Sequence, residues 1–454
     1  MQGADLRVTG YGQYSTRTLT LWLAAMLVLG CIGLGLVLQL VQPSHHGGTV
    51  LDAAWRVVTL QSRTDSWEPM ENALRVWRSP DGVDVYRKVF FAPVEKFQYP
   101  PAALFFAMGV EAGPDFGPVP FETVTLLISL LALAAATGFT IDCMLGLRGI
   151  DPGSVAQRLG RQAVIAGLLV TFYPFAHGFE VGQAQVWIDA LFGLGLAAWV
   201  GGRRTLSGVF IGLACLIKPQ LGVLLLWALL RGEWRFCTGI MALCGAAFGV
   251  SLLYFGLENH LGYLRVLSFL SQHGESLYAN QSVNGLIGRL VSLSDPVHYN
   301  NLHWREGLPP YHPTIYAGTL VSSILILVPA LFWRSRGRPI ERTLDFCAMA
   351  LSATMASPVA WDHHYGVIFP IYGAALAAAW GKPWAVVGLA MSYVVATHYV
   401  PGTGYFAHSP LNLVQSYLFF AAILLLAILY RMRLEERREA GVRASVPNSS
   451  YATA

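Results

Sequence analysis

The sequence has little charge. Only 12% of its 454 residues are Asp, Glu, Lys or Arg, while 54% are hydrophobic. An average soluble domain carries about 25% charged residues, so the composition excludes a soluble globular enzyme, a disordered chain and a nucleic-acid binder with a basic stripe. The mean hydropathy is +0.49. Because a bilayer span needs about 20 apolar residues, the composition predicts an all-α, polytopic membrane protein.

Lysine is also scarce, and the cysteines do not occur in closely spaced motifs. Four of the 30 basic residues are lysines, and none of the six cysteines shows a CxxC or another metal-binding spacing. All six lie in apolar segments, where cysteine is usually a small core residue, so we expect no disulfide framework. The chain also lacks a G-x-G-x-x-G motif after a strand and a D-x-D motif in a soluble segment. These absences argue against a soluble nucleotide-binding domain.

Hydropathy predicts about 12 transmembrane spans. Two short runs, 205–217 and 219–231, could instead form one kinked span around Lys218 and Pro219. The apolar run 101–112 is short and bounded by prolines and Gly-Pro, which favours a re-entrant or interfacial helix. The predicted spans are 19–41, 119–144, 162–177, 184–201, 205–217, 219–231, 235–256, 313–333, 339–357, 363–380, 383–399 and 411–430.

Arginine placement orients these spans, because cytoplasmic loops carry an excess of Lys and Arg. Alternate loops hold the arginines, and reading 205–231 as two spans preserves the alternation. The sequence therefore predicts a plasma (inner) membrane protein with both termini in the cytoplasm. It comprises one integral-membrane domain, 1–430, and a disordered cytoplasmic tail, 431–454. A large external loop with short helices, 42–100, and a second external loop, 257–312, complete this topology.

The predicted topology gathers polar side chains at one face. All 12 histidines fall in external loops or at the external ends of spans, so any chemistry is expected on the external, periplasmic side. A transporter is expected to place ionisable groups near the midplane. Asp189 and Asp345 are the intramembrane acids, and each fits either an interhelical hydrogen bond or part of a transport pathway.

Polar motifs follow one another in a set order on this face. In chain order they are Asp65, the G-x-x-V-Y segment 82–86, the F-x-Y-P-P segment 97–101, Gly182-Gln183, Lys218-Pro219, Asn280-Gln281-Ser282 and the S-P-x-x-W-D-H-H segment 357–364. In this ordered set the chain resembles glycosyltransferase family 87, the polyprenol-phosphate-mannose-dependent mannosyltransferases of the C-type membrane glycosyltransferase superfamily. The resemblance covers about 65–365, and Gln185 departs from it, since the family commonly has Asn there.

The resemblance implies an enzyme. It implies transfer of a hexose, with mannose as the first choice, from a polyprenyl-monophosphate donor to a lipid-linked or cell-envelope acceptor at the external face, and pentose donors fit the same pattern. Its partners are the lipid-linked donor, a lipid or glycan acceptor and membrane lipids, with no nucleic acid. We expect no cofactor, and the sequence leaves the use of a divalent metal open. The alternatives are a lipid or sugar-lipid flippase without chemistry, and an acyltransferase with a membrane-buried histidine base.

The implied chemistry needs one carboxylate and a cationic cluster. The leaving polyprenyl phosphate changes from about one to about two negative charges as the sugar bond breaks, so donors aimed at the phosphate suffice there. The acceptor hydroxyl needs a base, and direct displacement inverts the anomeric centre. From the residues alone, Asp65 followed by Glu68 favours a helix cap, whereas the resemblance implies that Asp65 is the base. Glu68, Glu71 and Asp84 are weaker candidates, and Asp84 also fits a turn acid.

Four residues are candidates for holding the donor phosphate: Lys218, His363, His364 and Arg289. Lys218 equally fits a lysine that snorkels to the interface. The two histidines begin a span, where a helix N-terminus favours an anion; an interfacial pair is the alternative, and the resemblance favours the phosphate. Arg289 could bind a phosphate bidentately.

The remaining candidates are polar residues expected to bind substrate. The glutamines could bind sugar hydroxyls or satisfy free backbone groups at helix ends, and the aromatic could stack on a sugar or belong to an interfacial belt. These candidates are Gln183, Gln185, Tyr99, Asn280, Gln281, Ser282 and Asp362.

Overall fold

The computed structural model describes residues 15–41, 48–80, 84–91, 97–114, 116–273, 276–292, 311–335 and 337–445. Within these ranges the regular elements are helices, and the β-structure is one isolated bridge between Asn280 and Trp361. The predicted all-α class is confirmed.

The α-helices are α1 (Thr16–Ala25), α2 (Leu34–Val41), α3 (Val50–Val58), α4 (Trp67–Arg78), α5 (Val85–Val89), α6 (Ala103–Glu111), α7 (Phe121–Leu147), α8 (Val155–Val170), α9 (Tyr173–Val181), α10 (Gln185–Val200), α11 (Arg204–Ile217), α12 (Val223–Arg231), α13 (Trp234–His273), α14 (Val283–Ser292), α15 (Pro313–Phe332), α16 (Pro339–Met355), α17 (Ile368–Ala379), α18 (Pro383–Thr397) and α19 (Tyr417–Ser445). A π-helical segment, Met26–Gly33, joins α1 to α2.

A helix lies at each of the 12 predicted spans, but the helices differ in length and exposure. Among the described residues, five helical segments are long and apolar enough to cross a membrane, and α8 with α9 makes a sixth if this pair, bent by 64°, is one span. The five segments are Thr16–Val41, Phe121–Leu147, Trp234–His273, Pro313–Phe332 and Pro410–Glu439. A helical membrane protein follows, whereas the count of 12 spans stays a prediction.

Burial separates the central helices from the peripheral ones. Every residue of α17 is buried, as are nearly all residues of α16. The long helices α13 and α15 instead expose most of their apolar side chains, which is the pattern of a surface that faces lipid. α10 packs between α7 and α11, and α17 packs against α7 and α18. The residues described below are therefore attached to the ends of well-packed helices.

The first predicted external loop contains three short helices, α3 to α5; its residues 42–47, 81–83 and 92–96 lie outside the described part. In the second loop the structure differs from the prediction. α13 has a left-handed break at Gly256 (φ 78°) and then continues as helix to His273. α14 follows, and residues 293–310 lie outside the described part.

Asp345 lies in a buried ionic network at the predicted cytoplasmic ends of the helices. Its Oδ2 is 2.5 Å from Nε of Arg231, and its Oδ1 is 2.9 Å from Nη2 of Arg433. Arg231 also donates to the carbonyl oxygens of Ala330 (2.9 Å) and Leu331 (2.8 Å). These contacts tie α12, α15, α16 and α19 together. Of the two interpretations of Asp345, the structural one fits these contacts.

The predicted disordered tail differs from the structure over half its length. α19 continues to Ser445, and residues 446–454 lie outside the described part. Charged side chains of this helix pair with the rest of the protein: Arg437 binds Glu341 (2.5 Å), and Lys382 lies 3.2 Å from Glu435. The helix persists because its charges have partners on other elements, which composition alone does not show.

Candidate active site

Backbone hydrogen bonds join the segment that carries Asp65 to the turn before α10. The N–H of Arg63 donates to the carbonyl of Glu180 (2.8 Å), and the N–H of Asp65 donates to the carbonyl of Val181 (3.0 Å). α9 ends at Val181, and the left-handed backbone of the following Gly182 (φ 74°) turns the chain towards α10. Asp65, which directly precedes the turn into α4, is thereby placed beside the start of α10.

Asp65 presents an exposed carboxylate whose partner is Gln183. One carboxylate oxygen accepts a hydrogen bond from Nε2 of Gln183. Oε1 of the same amide accepts from the Ser66 hydroxyl at 2.9 Å and lies 3.4 Å from the Tyr99 hydroxyl. Because both hydroxyls lie on the carbonyl side of the amide, its NH₂ group faces Asp65. Ser66 and Tyr99 are buried, so they fix the amide that orients the carboxylate.

Gln185, two residues after Gln183, forms a hydrogen bond with Lys218. Nζ of Lys218 donates to Oε1 of Gln185 (3.3 Å) and lies 2.8 Å from Nε2 of His364. The lysine is also 5.7 Å from the centre of the Tyr99 ring. Nε2 of Gln185 in turn donates to Oδ1 of Asp189 (2.9 Å), which fits the structural interpretation of that acid. Lys218 thus points into a polar cluster formed by Gln185, His364 and Tyr99.

Asp362 lies in a second group of charges, at the start of the turn before α17. The N–H of His363 donates to its Oδ1 (2.7 Å), and Nε2 of His177 lies 3.9 Å from its Oδ2. Burial opposes ionisation, but the two histidines outweigh burial and hold the pKa of Asp362 below its usual range. His177 also lies 3.8 Å from Glu180. Asp362 is therefore a buried anion that positions His363.

The Asn280–Ser282 segment fixes the loop in front of α17. Nδ2 of Asn280 donates to the carbonyl of Pro358 (3.2 Å), and its Oδ1 accepts from the N–H of Ala360 (3.0 Å). The hydroxyl of Ser282 donates to the same Pro358 carbonyl (3.0 Å). The N–H of Gln281 donates to the carbonyl of Ala360 (2.7 Å). These residues support the loop that carries the histidine pair, because the hydrogen bonds given above join them to the backbone of that loop.

Arg289 supports the same segment. Its guanidinium donates to the carbonyl oxygens of Leu277 (2.9 Å) and Asn280 (3.1 Å) and to the Ser416 hydroxyl. The side chain is fully buried, and burial lowers the pKa of the Arg289 guanidinium to about 9. The described contacts do not bring it to Lys218 or to the histidines. The phosphate contact of Arg289 therefore stays a prediction.

The structure therefore places the candidates in several separate hydrogen-bonded groups. Ser66, His177 and Glu180 belong to the same clusters but are not among the predicted residues. Their positions next to Asp65 and Gln183 in the chain are the signal that could have found them. No sequence pattern indicates that Ser66 bonds Tyr99. Among the described residues, no group of three or more His, Cys, Asp or Glu side chains is arranged to hold a metal ion.

The motif around Asp84 has a structural role. Oδ1 of Asp84 accepts from the N–H of Arg87 (3.1 Å) and caps α5, as the turn-acid interpretation expects. The hydroxyl of Tyr86 donates to the carbonyl of Tyr99 (2.6 Å), so this motif supports Tyr99. Gly82 and Val83 of the same motif lie outside the described residues.

Comparison with known proteins identifies the family of the chain. The model of glycosyltransferase family 87 matches residues 97–358, more than half of the chain. The chain belongs to glycosyltransferase family 87. The matched range includes Gln183, Gln185 and Lys218, and Asp65 lies before it. The predicted family and the predicted class of enzyme, a glycosyltransferase, are confirmed.

A curated relative of similar sequence is the polyprenol-phosphate-mannose-dependent alpha-(1-2)-phosphatidylinositol pentamannoside mannosyltransferase of Mycolicibacterium smegmatis. The two sequences are 25% identical over 279 residues, which are 61% of this chain and 60% of that protein. The chain thus matches about 60% of the length of this relative.

Gly182 provides a test of the Asp65 placement in this family 87 member. A Cβ atom at Gly182 would lie 1.7 Å from the carbonyl oxygen of Arg63, so Gly182→Ala must displace the segment that carries Asp65. Misplacing a reacting group by about 1 Å can cost about 10²-fold in rate, and we expect a loss of that order in sugar transfer, measured with a lipid-linked donor.

Gly202→Ala is the matched control for this variant. Gly202 has a similar left-handed backbone (φ 77°), but nothing lies within 4 Å of its Cβ position. The control therefore carries the same backbone strain without the clash. We expect Gly202→Ala to keep the wild-type transfer rate and Gly182→Ala to lose transfer while remaining folded, as a cooperative thermal transition would show. Equal transfer rates would contradict the role of this contact.

Proposed function

We propose that the protein transfers a hexose, with mannose as the first choice, from a polyprenyl-monophosphate donor to a lipid-linked or cell-envelope acceptor at the external face of the plasma membrane. Transfer inverts the anomeric centre, and Asp65 is the general base. Family membership supports the glycosyl transfer. The name of the mycobacterial relative, a polyprenol-phosphate-mannose-dependent phosphatidylinositol pentamannoside mannosyltransferase, supports the polyprenol-phosphate-mannose donor and a lipid-linked acceptor.

One arrangement carries this proposal: the candidate base and the candidate cation are both held at the start of α10. Gln183 bonds Asp65, and Gln185, two residues later, bonds Lys218. His364 lies against the same lysine. A carboxylate and a cation held by neighbouring amides are suited to the two ends of a displacement, in which a proton leaves the acceptor and charge grows on the departing phosphate.

The proposed reaction is a single displacement. The acceptor oxygen attacks the anomeric carbon while its proton passes to the carboxylate of Asp65. The bond between that carbon and the phosphate oxygen breaks, and the polyprenyl phosphate leaves with the electron pair. Its charge rises from about −1 to about −2, and we assign Lys218, His363 and His364 to its stabilisation. The sugar hydroxyls are assigned to Gln183, Gln185 and Tyr99. We assign Arg289, Asp362 and the Asn280–Ser282 segment to positioning.

A transfer assay with the purified full chain in liposomes tests this function. The donor is radiolabelled polyprenyl-phosphate mannose, the acceptor is an envelope lipid extract, and a sugar nucleotide serves as control donor. We expect label in an acceptor lipid with the lipid-linked donor only, release of polyprenyl phosphate, and an inverted anomeric configuration by NMR. Absence of transfer from mannose and pentose donors, with movement of the labelled lipid between leaflets instead, would show a flippase.

A further inference from the structure

A cavity of about 400 Å³ lies at the far end of α12 from the candidate active site. The short helical turn that leads into α12 begins at Pro219, next to Lys218, and α12 ends at Arg231. This is roughly 20 Å of helix. The cavity is formed by the turn after α12 and the loop between α15 and α16, both on the predicted cytoplasmic side. It is separate from the residues assigned to sugar transfer.

Arginines dominate the lining of this cavity. Its charged residues are Arg231, Arg334, Arg342 and Glu233, three cations against one anion. Leu230 provides an apolar wall beside them. A cavity with this excess of guanidinium groups is suited to an anion with several acceptor oxygens, because the planar fork of arginine binds such groups bidentately.

The arginines differ in how far their charges are already compensated. Arg231 is fixed by Asp345 and by backbone carbonyls, so its charge is already compensated and its guanidinium is held in place. Arg342 is paired with Glu233. Arg334 is exposed, and its guanidinium has no hydrogen-bond or ion-pair partner within the part of the chain that the structure describes. Arg334 can therefore bind a ligand without breaking an existing contact.

We propose that this cavity binds a phosphate group, carried by an anionic phospholipid or free in solution. Phosphate supplies the acceptor oxygens and the negative charge that Arg334, the arginine of this lining whose guanidinium has no partner among the described residues, can bind beside the paired Arg231 and Arg342. The cavity lies where α12 and α15 end, which is the level of the headgroups if these helices reach the membrane surface, and anionic lipids attract arginines there. The apolar wall at Leu230 suits a group attached to a lipid. This site does not depend on the proposed sugar transfer.

Thermal stabilisation of the purified full chain in detergent tests the proposal. The probes are dioctanoyl phosphatidylglycerol, dioctanoyl phosphatidylcholine and inorganic phosphate, each titrated to give an apparent Kd. We expect Arg334→Gln to weaken binding of the anionic probe about tenfold, as loss of one charge-assisted hydrogen bond predicts, and Arg334→Lys to weaken it less. The control is Arg203→Gln, an exposed arginine of the same predicted face that does not line the cavity.

The outcomes separate the two sources. A lipid ligand is supported if Arg334→Gln weakens the binding of phosphatidylglycerol, Arg203→Gln does not, and inorganic phosphate binds weakly. If Arg334→Gln weakens the binding of inorganic phosphate as much as the binding of phosphatidylglycerol, the result supports free phosphate as the ligand. Absence of binding by both probes, equal effects of Arg334→Gln and Arg203→Gln, or equal binding of phosphatidylcholine would overturn the site. Sugar transfer is not the readout, so failure of this site leaves the proposed function untouched.

Discussion

Replacing Asp65 by Asn is expected to lower kcat for sugar transfer by about 10²- to 10⁴-fold, the usual contribution of a positioned general base. The amide has the shape of the carboxylate, and its oxygen can still accept the hydrogen bond from Gln183. The segment that carries residue 65 should therefore keep its place. An amide cannot take the proton of the acceptor hydroxyl. The loss should appear in single-turnover transfer, while the Kd for the lipid-linked donor stays unchanged.

Glu68→Gln is the matched control for Asp65→Asn. Glu68 lies in the first turn of α4, is exposed, and loses the same charge. Its variant should transfer sugar within about twofold of the wild type, the range of a surface change. If Asp65→Asn kept the wild-type kcat, Asp65 would not be the general base. Asp362 would then be the next carboxylate to test, although its oxygens are held by His363 and His177.

Hydropathy predicted the positions of the helices but not their lengths. A run of apolar residues indicates a buried helix whether lipid or protein surrounds it. α17 is buried along its whole length by other helices, so it can be shorter than a membrane span. α13 instead continues past its break at Gly256 into a segment predicted as loop. The surroundings of a helix, which decide its length, depend on tertiary packing.

The order of the motifs indicates which residues lie close together in the fold, but it does not give the role of each residue. Hydrogen bonds join Asp65 to Gln183, and join Lys218 to Gln185 and His364, and the two glutamines lie two residues apart in the chain. The roles of these residues stay predictions. The sequence gives no distances, because residues from distant parts of the chain approach only in the fold.

Arg289 shows the limit of such reasoning. An arginine in a predicted external loop fits a phosphate site by residue type, yet its partners here are two carbonyl oxygens and a hydroxyl. Ser66 shows the converse. It is a small residue next to the candidate base, and its importance follows from a contact with Tyr99, 33 positions away.

Replacing Lys218 by Met is expected to lower kcat by about 10²- to 10³-fold, the effect of removing one preorganised group that stabilises developing charge. The methionine keeps most of the length of the side chain but removes the ammonium that contacts Gln185 and His364. The leaving phosphate gains negative charge as the bond to the sugar breaks, so the ammonium stabilises the transition state more than the bound donor. KM for the donor should therefore change less than kcat.

A phosphate contact and a purely structural role for Lys218 differ in one measurable property. Polyprenyl phosphate, the product, carries about one more negative charge than the donor. Lys218→Met should therefore weaken binding of the product more than binding of the donor, in titrations with each lipid. Loss of support for Gln185 and His364 alone would weaken both equally. Lys88→Met, which removes an exposed lysine of the first predicted external loop, is the control and should leave both affinities unchanged.

The ratio of the affinities for the product and donor lipids also distinguishes a catalytic role of Lys218 from anchoring at the membrane interface. A lysine that only snorkels to the membrane surface interacts with headgroups, so its replacement should leave the ratio of product to donor affinity unchanged. Raising the salt concentration should weaken such an exposed interaction in the wild type, because salt screens exposed charges. Lys218 is partly buried against Gln185, His364 and Tyr99, so its effect on product binding should persist at high salt. A ratio that is equal in wild type and Lys218→Met would remove Lys218 from the phosphate site.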